Sequence, residues 1–101
     1  MPGETRSAQR STPGHQVVDS RTWKDISSAL RLSPRELEIT QGIFDDRKEL
    51  AIARQLGISA HTVHSHIERL YRKLDVSSRV QLVVRVLAEL QQLNGHTRAN
   101  G

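Results

Sequence analysis

No cysteine occurs in the 101 residues, so neither a disulfide framework nor a thiolate serving as metal ligand or nucleophile is available. Aromatic side chains are nearly as scarce. Trp23, Phe44 and Tyr71 are too few to build the successive stacking platforms that hold single-stranded nucleic acid. No apolar run approaches the ~18 residues of a membrane span, and the N-terminal stretch MPGETRSAQRSTPGHQ lacks the apolar core of a signal peptide. The chain therefore reads as soluble and cytoplasmic, with no membrane partner. Its length suits one small domain and is too short for two separate cores. What is present is basic charge: fifteen Lys and Arg against eleven Asp and Glu give +4 at pH 7. That balance favours a polyanionic partner, duplex DNA ahead of an acidic membrane surface.

Residues 1–18 are rich in Ser, Thr, Pro, Gly and Arg with almost nothing to bury, the composition of a disordered tail. Residues 94–101 read as a second flexible tail, with Asn94-Gly95 as the helix stop. Everything between has helical periodicity, so the fold class is all-α. Within 19–31, Trp23, Ile26, Ala29 and Leu30 form one apolar stripe of a short accessory helix. Ser33-Pro34-Arg35-Glu36 is a capping box with Pro at the first helical position, and Leu32 and Leu37 are spaced for a hydrophobic staple. The helix it opens, to about residue 44, turns Leu37, Ile39, Ile43 and Phe44 inward. Nothing in the sequence accounts for Gly42 inside it. Asp46 with Glu49 predicts a second capping box and a helix burying Leu50, Ile52, Ala53 and Leu56.

Gly57 suits the left-handed position past that helix, and Ser59 can cap the next, residues 60–73, whose inward stripe is Val63, Ile67, Leu70 and Leu74. Two helices joined by a three-residue turn containing Gly make a helix-turn-helix. The last helix, from Ser78 to about residue 93, has apolar residues for two faces. Val80, Val83, Val84 and Leu87 make one stripe; Leu82, Val86, Leu90 and Leu93 make the other. One closes the core. The second, Leu82, Val86, Leu90 and Leu93, is expected to form a homodimer seam; the alternative is that it packs on the Trp23 helix.

The second helix of a helix-turn-helix enters the major groove, so its outward face must be polar. Opposite the buried stripe stand His61, His64, Ser65, Glu68 and Arg72, flanked by Thr62, His66, Arg69 and Lys73, with the cap Ser59 at the leading end. The flanks suit phosphate oxygens, which fix register without reading sequence. His61 and His64 have the spacing to share a metal ion, but only Glu68 accompanies them, so no metal and no other cofactor is expected. Neither Ser59 nor Ser65 has a His with an orienting Asp, and the chain is not read as an enzyme. With His61 and His64 on that face and His66 on its flank, DNA affinity is expected to rise on acidification from pH 7.5 to 6.

The motifs "LSPRE" at 32–36, "IA" at 52–53, "LGIS" at 56–59, "TVHSHI" at 62–67, "RKL" at 72–74 and the "VSSR" ending at Arg79 resemble the LuxR-type (GerE-like) DNA-binding domain of bacterial transcription regulators. The resemblance spans a little over half the chain. It implies a four-helix helix-turn-helix domain over 32–93, here with a short additional N-terminal helix, dimerising through its last helix. It also implies that Thr62, His66, Lys73 and Arg79 meet the phosphate backbone or groove, and that Val63 and the next outward residues approach bases. Relatives join this module to a receiver or ligand-binding domain. This chain reads as a stand-alone regulator, with RNA polymerase or a separate sensory protein as further partners and nucleoid association when bound. Three positions depart from the family: Asp46 where Gly is usual, Leu50-Ala51 in place of a Lys-Glu pair, and His64 in place of Lys. The rival readings are a module like the fourth region of sigma factors and a small helical adaptor that binds protein.

Overall fold

The computed structural model describes residues 18–100, with side chains through Asn94. Five helices follow one another: α1 Ser20–Leu30, α2 Pro34–Phe44, α3 Glu49–Leu56, α4 Ala60–Leu74 and α5 Arg79–Asn100. Among the described residues there is no strand. α4 packs against α2, α3 and α5, and α5 also packs against α1 and α2.

Local chemistry explains most of the boundaries. Ser33 Oγ accepts from the Glu36 amide (3.1 Å) while Glu36 Oε1 accepts from the Ser33 amide (2.8 Å), which closes the predicted capping box ahead of Pro34. α1 starts at a cap the sequence reading missed, Asp19, whose carboxylate accepts from the Thr22 amide at 2.8 Å. The second capping box does not form. Asp46 instead adopts φ 64° beyond the end of α2, its amide bonded to the Ile43 carbonyl and that of Arg47 to Gly42. The N-cap of α3 is Lys48, with no side-chain bond. A left-handed residue is strained by its Cβ by about 1–2 kcal/mol, a cost that the glycine expected there from the resemblance would avoid.

Gly42 now has its reason. A Cβ there would stand 2.8 Å from Ile52 Cγ1 and 3.0 Å from its Cδ1, so the bare backbone lets α3 seat Ile52 against α2. Gly42→Ala would gain about 1 kcal/mol of helix propensity but incur overpacking of about 1–3 kcal/mol against a fully buried β-branched side chain. The expected result is a lower urea midpoint at unchanged slope; a midpoint that rises would show that Ile52 moves aside freely.

The core is one cluster to which every helix contributes: Trp23, Ile26 and Leu30 of α1, Ile39 and Ile43 of α2, Ile52 and Ala53 of α3, Val63, Ile67, Leu70 and Leu74 of α4, and Leu82 and Val86 of α5. Trp23 meets Phe44 edge to face, with centroids 5.3 Å apart and an interplanar angle of 89°. Two expected core positions are outside it: Leu50 is 54 % exposed, and Ala29 is exposed. Val18, assigned to the disordered tail, is buried; residues 1–17 lie outside the described part of the chain.

The two faces of α5 are the reverse of the dimer expectation. Leu82 and Val86 are fully buried, and Leu90 and Leu93 are half-buried against the same core, because α1 packs across this side of α5. They pack into the protomer's own core. The uncovered stripe is Val80 (71 % exposed), Val84 (57 %) and Leu87 (38 %). α5 also continues through Asn94-Gly95 to Asn100, where a stop was expected. An interior glycine weakens a helix by about 1 kcal/mol without terminating it.

Candidate nucleic-acid interface

α3 ends at Gly57 in the left-handed conformation (φ 70°), where the Ile58 amide reaches back to the Ala53 carbonyl at 3.1 Å. No neighbour crowds a Cβ there, so the demand for glycine is conformational. Ile58 and Ser59 complete a three-residue turn. Ser59 Oγ then accepts from the Thr62 amide at 3.0 Å and lies 2.8 Å from Thr62 Oγ1. Ala53, almost fully buried, is the small residue on α3 where the two helices meet.

Val63, Ile67, Leu70 and Leu74 face the core, as their spacing requires. The opposite side is open. His61, His64, Glu68, Arg69 and Arg72 are exposed, as is the cap Ser59, with Thr62, Ser65 and His66 half-buried at its edges. Val63, which the resemblance placed near bases, is completely buried and has no surface to offer a ligand. Its place in α4 is structural.

Several of these polar side chains are already engaged. Arg69 Nη2 donates to His66 Nδ1 at 3.1 Å, which leaves the proton of the neutral ring on Nε2. His64 stands between two carboxylates, Nδ1 at 3.2 Å from Glu49 Oε2 and Nε2 at 3.2 Å from Glu68 Oε2. The hydrogen bond to Glu49 raises the His64 pKa above the usual histidine value, helped by the charges of Glu49 and Glu68. Glu49 was not among the candidate site residues. It lies on another helix, 15 positions from His64, and no local spacing announces the pair.

Lys73 and Arg79, both expected at phosphates, are turned onto the protein itself. Lys73 Nζ donates to the Arg31 carbonyl at the end of α1 and to Glu36 Oε1 at 2.7 Å. Burial pushes the Glu36 carboxyl upward, but the bonds from Lys73 and Ser33 outweigh it and hold the pKa below the ordinary glutamate value. Stability from this pairing is present above the ordinary glutamate range and is lost as pH falls through the lowered value. Arg79 spans the turn after α2, donating to the Arg47 carbonyl at 2.6 Å and to that of Ile43 at 3.5 Å. Lys73→Met is expected to cost about 1 kcal/mol of stability, since the pair is partly exposed but the lysine also satisfies a helix-end carbonyl. The slope of DNA affinity against salt should stay unchanged; a fall of about one unit would return Lys73 to the phosphate contacts.

No helix of the described residues is long and apolar enough to cross a membrane. Nor do three of the described His, Asp or Glu side chains converge as a metal site. A polar, partly basic helix face held on a three-residue turn over a second helix is the architecture of a DNA-reading helix-turn-helix. Residues 22–86, more than half of the chain, match the family described as "Bacterial regulatory proteins, luxR family". The chain belongs to that family, whose members are transcription regulators and not enzymes, and it carries the family's helix-turn-helix DNA-binding domain. The match begins inside α1, so the helix read as accessory lies within the family unit.

Among curated relatives, the spore germination protein GerE of Bacillus subtilis (strain 168) is 38 % identical over 64 residues, covering 63 % of this chain and 86 % of GerE. The bialaphos biosynthetic pathway regulatory protein of Streptomyces hygroscopicus is 41 % identical over 89 residues, 81 % of this chain and 35 % of that protein. The transcriptional regulatory protein DesR of B. subtilis is 32 % identical over 73 residues, 71 % and 37 %. The chain thus spans about a third of the length of the latter two and most of GerE. No solved structure matches it.

Proposed function

We propose that the protein is a cytoplasmic transcription regulator that binds specific duplex DNA sequences as a homodimer, with α4 lying in the major groove. The observation that carries this reading is the two-sided character of α4, with Val63, Ile67, Leu70 and Leu74 sealed in the core and His61, His64, Glu68, Arg69 and Arg72 presented together on the outside. Thr62, Ser65 and His66 at the edges and Ser59 at the leading end supply hydroxyl and imidazole groups for phosphates or bases. Arg72, exposed on this face, and Arg69, which is bonded only to its neighbour His66, take the phosphate role that Lys73 and Arg79 fill less readily while bonded to other helices and turns.

The dimer is assigned to the uncovered face of α5. Val80, Val84 and Leu87 lie beside a groove of about 340 Å³ lined by Val76, Val80, Gln81, Val84, Arg85 and Ala88. A run of valines on the outside of a terminal helix is costly to leave in water, and a second copy of the same face is a self-complementary cover.

Selection of bound sequences from a random duplex pool by the purified protein tests the proposal. Enrichment of an inverted repeat is expected. One asymmetric site would favour a mode like that of the fourth region of sigma factors. Binding that vanishes with salt and enriches nothing would overturn sequence-specific recognition and favour a protein-binding adaptor.

A further inference from the structure

We infer that Glu49, on the helix that supports α4, selects the base pair read by His64, and that the Glu49–His64–Glu68 cluster holds in the free protein a donor and an acceptor that a G·C pair replaces on docking. The inference rests on the proposed placement of α4 in the major groove. It starts from two distances: His64 Nδ1 lies 3.2 Å from Glu49 Oε2 and Nε2 lies 3.2 Å from Glu68 Oε2. Ionised carboxylates only accept, so a ring nitrogen that bonds one must carry hydrogen. Nδ1 bonds Glu49 and so carries hydrogen, while Nε2 stands at ion-pair distance from Glu68, a contact that suits a doubly protonated, charged ring.

The two carboxylates are not equivalent. Glu68 is on α4 itself, one turn beyond His64 on the exposed face, and would enter the groove with it. Glu49 is in the first turn of α3 and would remain behind the reading face. All three side chains are substantially exposed (His64 53 %, Glu49 40 %, Glu68 56 %), so the ion pairs stabilise the free protein little and a base edge can displace one at small cost. When Nε2–H turns from Glu68 to guanine N7 or O6, Glu68 becomes free to accept from the cytosine amino group. Glu49 meanwhile keeps Nδ1–H in place.

The same arrangement makes the reading conditional on pH. The hydrogen bond to Glu49, its charge, and the charge of Glu68 all move the His64 pKa upward, so the doubly protonated ring persists to higher pH than an ordinary histidine. Above that value one proton leaves. The Glu49 contact is the stronger, so the remaining proton stays on Nδ1 and Nε2 becomes an acceptor, which no longer suits guanine and instead suits an exocyclic amine of adenine or cytosine. Other charged groups stand on the same and neighbouring elements. On α4, His61, Arg69 and Arg72 share the exposed face; Lys48 is the N-cap of α3 beside Glu49, and Arg54 is exposed further along α3. α2 and α5 pack on α4 as well; of their charged groups, Arg35 pairs with Glu38, Arg85 with Glu89 and Glu36 with Lys73, and Arg79 donates to the carbonyls of Ile43 and Arg47.

The test is selection from a random duplex pool at about pH 6 and about pH 8.5, bracketing the range in which a histidine changes charge, with the intact chain and with Glu49→Gln. The wild-type protein is expected to enrich guanine about tenfold in one column of its site at the lower pH and to lose that preference at the higher, the other columns unchanged. Glu49→Gln, which keeps the size of the side chain and removes its charge, should weaken the guanine column already at the lower pH. Identical sites at both pH values, or a Glu49→Gln effect spread evenly over all columns, would overturn the inference while leaving sequence-specific binding intact. A wild-type protein that enriches no sequence at either pH would remove the proposed function, and this inference with it.

Discussion

Val86→Asp is expected to unfold the protein, whereas Val84→Asp, two residues earlier on the same helix, leaves it folded and monomeric. Val86 is fully buried between α1 and the rest of the core, and Val84 is 57 % exposed on the opposite face of α5. Losing the valine at position 86 forfeits about 1.5–3 kcal/mol of apolar burial. An unpaired carboxylate there adds several kcal/mol of desolvation, or neutralises at a similar cost. Together these approach the whole stability of a small domain, about 5–15 kcal/mol. Circular dichroism and sedimentation on the two variants decide the matter. A folded Val86→Asp monomer, or a Val84→Asp protein that remains dimeric, would restore the Leu82, Val86, Leu90 and Leu93 stripe as a seam.

Trp23→Ala is the second large effect, with an expected loss of about 3–5 kcal/mol for a buried aromatic side chain. About 0.5–1.5 kcal/mol of this belongs to the edge-to-face contact with Phe44 at 5.3 Å. The indole is 2 % exposed and joins α1 to the common core, so its removal opens a cavity where α1 and α5 lean on each other. Urea unfolding measures the loss directly. DNA affinity at low temperature, where the variant is still folded, should change little, because Trp23 is sealed in the core and has no surface for DNA. A loss under about 1 kcal/mol would show that α1 is an appendage whose removal the remaining helices tolerate.

Much of the helical framework was legible because its signals are local. Ser33 with Glu36, Gly57 and Ser59 each act within four residues, and the Val63, Ile67, Leu70 and Leu74 stripe follows from a period of 3.6. Asp46 misled for the same reason. Its side chain had capping chemistry at the right spacing, but the turn out of α2 required a left-handed residue there, and backbone geometry overrode the side chain. Leu50, counted as core by its type, is on the outer side of a short α3.

The sequence by itself determined the helices, the helix-turn-helix and the polar face of α4, since periodicity, caps and turn chemistry depend only on neighbours along the chain. Only the tertiary structure decided which apolar face of α5 is inside, why position 42 is glycine, and what Lys73, Arg79 and His64 touch. Each of those outcomes depends on groups brought together from different helices: α1 over Leu82 and Val86, Ile52 against Gly42, Glu36 on Lys73, Glu49 on His64. A helix with two apolar faces is symmetric to periodicity, and the packing of a third element breaks that symmetry.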